Sequence, residues 1–271
     1  MTYGSAYTVY ENFVIGRQLM MAEIVKGEQN HLESDLDDWR RRRRYAWFFI
    51  AVGALLFLIG PMATRPMYSL LGMLTIAVAA MVLKRVRTEM NVLGAGLAGE
   101  EAAILAFSEL PSGYTVYSNL VVEWDGKSSQ IDHVIVAPHG VFVVETKNIV
   151  GTIVGQTEES DWIQYKTTAS GHTYEKRVYS PLKQVGTHVY RLAERLKEEG
   201  VRVWVQGIVY FSNPDVHLDV DGDSRMPMFL VSQGGAEKLL DYVENYEGKE
   251  LSKDERRRID RVLRESMFDP D

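Results

Sequence analysis

The sequence contains no cysteine. That absence excludes a disulfide framework and any zinc site built on thiolates, and it suits a reducing compartment. Internal repeats and low-complexity tracts are missing as well. Positive charge is scarce where most of the chain lies. Residues 1–89 hold 11 Lys/Arg against 8 Asp/Glu, whereas residues 90–271 hold 19 against 29. This acidic balance counts against broad attraction to nucleic-acid phosphates and leaves only a local basic groove for such a contact. A calcium loop can also be set aside. The stretch "DVDGDSR" (Asp219 to Arg225) has alternating aspartates, but an EF-hand register from Asp219 would need glycine at Ser224 and an acid at Leu230. An Asp-Gly turn between strands is the reading that remains.

Two runs lack charge altogether: "YAWFFIAVGALLFLIGPM" from Tyr45 to Met62 and "MYSLLGMLTIAVAAMVL" from Met67 to Leu83. Each has about the minimum length for a membrane-spanning helix. Arg40, Arg41, Arg42, Arg43 and Arg44 precede the first run, and Lys84, Arg85 and Arg87 follow the second. Basic residues beside spans favour the cytoplasmic side, so a hairpin with both termini cytoplasmic is expected at the cell membrane. Pro61 and Pro66 mark its short outer turn. The long segment before the first run carries no cleavage-site pattern, which points to an anchor rather than a removable signal peptide. The five arginines suit either a topology signal or contact with anionic lipid. Residues 11–39 show a loose helical pattern through Phe13, Ile24, Leu32, Leu36 and Trp39. The expected organisation is therefore a cytoplasmic segment (1–44), a transmembrane hairpin (45–83) and a cytoplasmic domain (90–271).

The last part alternates helix and strand signals. "AGEEAAILAFSEL" is a helix stopped by Pro111 and Gly113. "YTVYSNLVVEW", "QIDHVIVA" and "VFVVETK" read as three strands of an antiparallel meander, joined through Asp125-Gly126 and Pro138 to Gly140. "TIVG" and "DWIQYKT" are expected as short strands on the sheet edge. Pro181 to Glu199 is an amphipathic helix with Leu182, Val185, Val189, Leu192 and Leu196 on one face. "VRVWVQGIVYF" reads as a central strand and "MFLV" as one more; two further helices follow, the last opened by the capping-box pair Ser252 and Glu255. The fold class is α/β, a mixed-sheet sandwich.

Residues two apart on a strand share a face, so Glu145 and Lys147 project together, and Asp132 on the neighbouring strand can join them. Two adjacent carboxylates repel unless a cation or a proton sits between them. A hard divalent ion, Mg2+ or Mn2+, resolves that repulsion with oxygen ligands. An ordinary ion-pair cluster remains the plain alternative. For His133 and His188 structural or solvent-facing roles are expected, although His188 lies one helical turn after Gln184 and could line the same cleft. Trp162 is expected to pack in the core.

"GLAGE" (Gly96 to Glu100), "IDHV", "GVFVVETKN", Trp162 and "PLKQVGTHVYRL" together resemble the nuclease-related domain family, which is grouped with the PD-(D/E)xK nuclease superfamily. The resemblance covers about Gly94 to Phe211. It implies a restriction-endonuclease-like fold, with Asp132 and Glu145 as metal-binding carboxylates and Lys147 as the catalytic lysine. It also implies that Glu100 is a helix acid helping to hold the metal, and that Gln184 points at the active centre. The family's proline before the first acid is replaced by Ile131. A membrane-anchored, Mg2+- or Mn2+-dependent phosphodiesterase acting on nucleic acid, DNA ahead of RNA, is the implied function. A catalytically inactive binding or scaffolding module at the inner membrane face, and a hydrolase of small nucleotides, stand beside it.

Overall fold

The computed structural model describes residues 21–27, 31–167 and 171–267. In chain order the elements are β1 (Glu23–Lys26), α1 (His31–Met62), α2 (Pro66–Phe107), β2 (Thr115–Trp124), β3 (Lys127–Ala137), β4 (Gly140–Lys147), β5 (Gly151–Gln156), β6 (Asp161–Thr167) and β7 (Thr173–Tyr179). Then come α3 (Pro181–Glu198), β8 (Val205–Phe211), β9 (Val216–Asp221), β10 (Met228–Leu230), α4 (Gly235–Glu244) and α5 (Lys253–Glu265). The described residues form two compact units, one within Asn30–Leu97 and one that joins residues 21–27 to those from Ala98 onward.

The helical unit holds α1 and the first part of α2, both long and apolar enough to cross a membrane. The uncharged runs account for only part of each helix. α2 extends over 42 residues and passes without a break through the glycines near Gly94 into the segment read from sequence as a separate helix. The seam between α1 and α2 is made of small residues. A side chain at Gly72 would sit 2.4 Å from the Gly53 carbonyl oxygen, so only glycine permits this approach. Most large apolar side chains point outward instead; Trp47, Phe48 and Leu58 are each about 60% exposed.

The other unit is mixed α/β, as the sequence indicated. Its main sheet has the order β1-β2-β3-β4-β8-β10. β2, β3 and β4 form the antiparallel meander, while β1 on β2, β8 on β4 and β10 on β8 run parallel. β8 is buried along its whole length, as a central strand should be. One face packs on α3 through Val134, Val143, Leu192 and Val209; the other holds Phe107, Ile135, Phe142 and Leu239. α5 opens with the capping box of Ser252 and Glu255.

Two expectations are corrected. β5 and β6 do not extend the main sheet; with β7 and β9 they make a second sheet of order β7-β6-β5-β9. Trp162 on β6 is fully buried, and its ring nitrogen donates to the Gln156 carbonyl at 2.8 Å. The helical pattern assigned to residues 11–39 fails at residues 23–26, which form β1; residues 11–20 lie outside the described residues. β1 docks beside β2 with Glu23 opposite Thr115 and Lys26 opposite Ser118. The compact unit thus holds a strand that the sequence-derived range 90–271 does not include.

Candidate active site

Asp132 sits where the meander comes apart. β3 stays paired with β4 from Ala137 only as far as His133, opposite Val144. On its other side the ladder with β2 runs through Ser118↔His133 and Leu120↔Ile131 and skips the step between. Asn119 occupies that step with φ of 60°, a left-handed conformation that asparagine tolerates better than most residues. Asp132 therefore belongs to neither ladder. Its Oδ2 accepts a hydrogen bond from the Thr146 backbone N–H at 2.8 Å, which ties it to β4 beside Glu145. β4 continues past this fork because β8 supports it, with Glu145 opposite Val209 and Lys147 opposite Phe211.

α3 lies over the same face and meets β4 in step. Four residues of helix advance about 6 Å, and two residues of strand about 6.6 Å. Gln184 and His188 therefore match Lys147 and Glu145. The Lys147 Nζ donates to Glu145 Oε1 at 2.6 Å and to Gln184 Oε1 at 2.9 Å. His188 Nε2 faces Glu145 Oε2 at 3.3 Å but outside hydrogen-bond geometry, so that buried oxygen has no hydrogen-bond partner among the described residues. Pro181 starts α3, and the amphipathic stripe of Leu182, Val185, Leu192 and Leu196 fixes which face turns to the sheet.

Glu100 reaches this region from α2. At Gly99, the preceding residue, a side-chain carbon would lie 2.6 Å from Asn148 Cβ, so glycine lets the helix close on the end of β4. Glu100 is buried, and its charge acts on Asp132. The structure thus brings Asp132, Glu145, Lys147 and Gln184 together and sets Glu100 within electrostatic reach. His188 is the residue that sequence reasoning undervalued; its spacing of four from Gln184 was the available signal. His133 is a different case. It is fully buried on the opposite face, paired with Ser118 at 2.9 Å and edge-on to Phe107, and burial pushes its pKa down to about 3. It is a core histidine.

The two carboxylates are not equivalent. Burial, then the charges of Glu145 and Glu100, push the Asp132 pKa well above the usual carboxylate range against the opposing pull of Lys147 and the Thr146 N–H. Burial alone would raise Glu145 too, but the neighbouring His188 and Lys147 outweigh it and hold Glu145 below its ordinary value. The folded-state pKa of Asp132 exceeds its unfolded value near 3.8, so its contribution favours folding below that value and is lost as pH rises through the folded value. Asp132→Asn keeps an acceptor for the Thr146 N–H. Without divalent ions it is expected to melt higher than the parent at pH 7, with the gain shrinking towards pH 4. Equal melting temperatures at pH 7 would show that the carboxylate is not crowded.

Among the described residues, no group of three or more His, Asp or Glu side chains is drawn close enough to enclose a metal ion. The donors still suit a hard cation: two carboxylates from adjacent strands, one buried oxygen of Glu145 without a hydrogen-bond partner, and a third acid acting on the same spot.

An uncharacterized protein of Bacillus anthracis is 44% identical over 71 residues, which cover 26% of this chain and 34% of that protein. The match thus spans about a third of that relative's length. No solved structure matches the chain. The family model described as the nuclease-related domain matches residues 95–212, a range that runs from the end of α2 through the fork, the second-sheet strands β5 to β7, and α3 to the end of β8. Residues 95–212 of this chain are a nuclease-related domain.

Proposed function

We propose that this protein is a membrane-anchored nuclease that hydrolyses phosphodiester bonds of nucleic acid with the help of Mg2+ or Mn2+. The observation that carries the reading is the Asp132–Glu145–Lys147 cluster at the strand fork, reached by Gln184 from α3. Asp132 and Glu145, with Glu100 beside them, would hold the ion. When bound, such an ion supplies Lewis acidity towards a phosphoryl oxygen and a water of lowered pKa. Lys147 brings a fixed positive charge to the place where negative charge develops, and its bond to Gln184 keeps the ammonium aimed there. Thr146, through its backbone N–H, holds Asp132 in place.

Contact with an anionic polymer needs local basic residues in this acidic unit. The β6–β7 ribbon supplies Lys166 and Lys176, close enough that burial and mutual repulsion together lower the Lys166 pKa, with exposed Tyr165 and Tyr174 beside them. Stacking bases on such rings favours single-stranded or frayed ends. With labelled DNA and RNA, the purified protein is expected to cut only when Mg2+ or Mn2+ is added, DNA faster than RNA. No cleavage and no ion-induced rise in melting temperature would leave the second reading, a non-catalytic module. One observation favours that alternative: Lys147 and His188, both beside Glu145, can themselves balance its charge.

The same reading places both termini in the cytoplasm. Basic residues flank both spans, and β1, which precedes α1, pairs within the unit that follows Leu97. That pairing supports both ends of the hairpin lying on one side of a bilayer. Reporters fused before Thr2 and after Asp271 are expected to give the same cytoplasmic signal, and opposite signals would rule the hairpin out.

A further inference from the structure

The arginine run before the first span is not uniform. Arg40 pairs with Asp37 at 2.8 Å, and Arg41 pairs with Asp38. Arg42 instead lies over the Trp39 ring, 4.6 Å from its centre. Beside these two residues a groove of about 820 Å3 opens between α1 and α2, with Arg85 of α2 also on its lining. That volume is in the range of ordinary ligand sites, about 300–1,000 Å3. Deeper along the hairpin the walls are Phe49, Leu74 and Val78, while buried Ala46 and Ala79 leave the space by being small. One end is cationic and the rest apolar. Among the described residues, the ion pair of Arg85 is a 3.9 Å contact to Glu89, and its side chain is highly exposed.

We propose that this groove binds one anionic phospholipid, its phosphate between Arg42 and Arg85 and its acyl chain over Phe49, Leu74 and Val78. The proposal rests on the reading of α1 and α2 as membrane spans and is independent of catalysis. Charge decides the occupant. A second copy docked groove to groove would set Arg42 and Arg85 against their own counterparts, whereas an anionic head group neutralises both. Guanidinium groups also match phosphate oxygens in geometry as well as charge.

The test uses the full chain reconstituted in phosphatidylcholine vesicles containing increasing fractions of brominated phosphatidylglycerol, or brominated phosphatidylcholine as the comparison. Bromine quenches nearby tryptophan, and Trp39→Phe isolates the signal of Trp39. Quenching of Trp39 is expected to half-saturate at a far lower fraction of the anionic lipid than of the neutral one. Arg42→Gln with Arg85→Gln should raise that fraction roughly 30-fold, from the usual contribution of two arginines near an anionic surface. Arg42→Lys with Arg85→Lys should retain most of the preference, and Arg40→Gln with Arg41→Gln should change it little. An equal shift in both glutamine pairs would mean a diffuse surface effect and overturn the site. So would a wild type without preference for the anionic lipid. Release of the protein from vesicles by alkaline carbonate would overturn the membrane reading itself, and the site with it.

Discussion

A chain that starts at Glu89 is expected to be far less stable than one that keeps residues 21–29 joined by a flexible Gly/Ser linker to Ala98. β1 closes the edge of the main sheet on β2, and its backbone is tied in beyond the ladder itself. Ala22 N–H donates to the Leu110 carbonyl, Glu23 N–H to Tyr114 and Gly27 N–H to Ser118, at 2.8, 3.0 and 3.0 Å. Val25 packs against the α3-side core and Ile24 against the opposite one. Each lost backbone bond is worth about 0.5–1.5 kcal/mol net, so the strand as a whole weighs several kcal/mol against a typical stability of about 5–15 kcal/mol. The truncation also bares the edge of β2, a long strand that borders Asp132, and such edges template aggregation. Denaturant midpoints of the two chains check this directly. Equal midpoints, with both chains monomeric, would mean that β1 is dispensable.

The same strand shows where sequence reading stops. "EIVK" is too short to display a period, and it lies some ninety positions from its partner Thr115. Nothing local distinguishes it from the first turn of an amphipathic helix. β7 was hidden for another reason: "TYEKRVY" lies mostly exposed, so it shows no apolar alternation. The second apolar run and the helix expected from Ala98 read as separate elements, yet one helix runs through both and through the glycines near Gly94, because propensity is weak against the pull of helical segments on both sides. The meander was legible because β3 and β4 bury both faces and are bounded by an Asp-Gly turn and by Pro138 to Gly140. The central site was legible for the same reason. Once those strands pair around that turn, Asp132 must lie beside Glu145, and strand alternation puts Lys147 with it. His188 depended on the packing of α3 against β4, a distance that no residue pattern states.

Lys147→Met is expected to lower kcat by about a hundred- to a thousandfold, the size of losing one preorganised group that stabilises developing charge. It is also expected to destabilise the ion-free protein. Glu145 is only 1% exposed, and Lys147 is its closest cation, at 2.6 Å. Removing one partner of such a pair costs up to about 3–5 kcal/mol, less here because Lys147 keeps some water contact and His188 stays nearby. A drop in melting temperature therefore does not by itself separate a catalytic lysine from a structural one; the response to metal does. If Asp132 and Glu145 take up an ion, Mn2+ at a hundred times its Kd adds about 2.7 kcal/mol. That is a rise of roughly 5–10 °C for a domain of this size. The rise should be larger in Lys147→Met, where the ion takes over the neutralisation of Glu145. It should vanish in Glu145→Gln and be strongly reduced in Asp132→Asn, and both should lose turnover while staying folded. His188→Ala should keep the ion response but bind Mn2+ less tightly, because Glu145 then loses a neighbour that helps hold it ionised. A purely structural ion-pair cluster predicts the same loss of stability for Lys147→Met and no effect of Mn2+ on any of the proteins. Melting curves of the parent and these four variants, each with and without Mn2+, decide between the two before any substrate is known. A parent whose melting temperature ignores millimolar Mn2+ would remove the nuclease reading and leave the chain as a membrane-bound module that kept the fold.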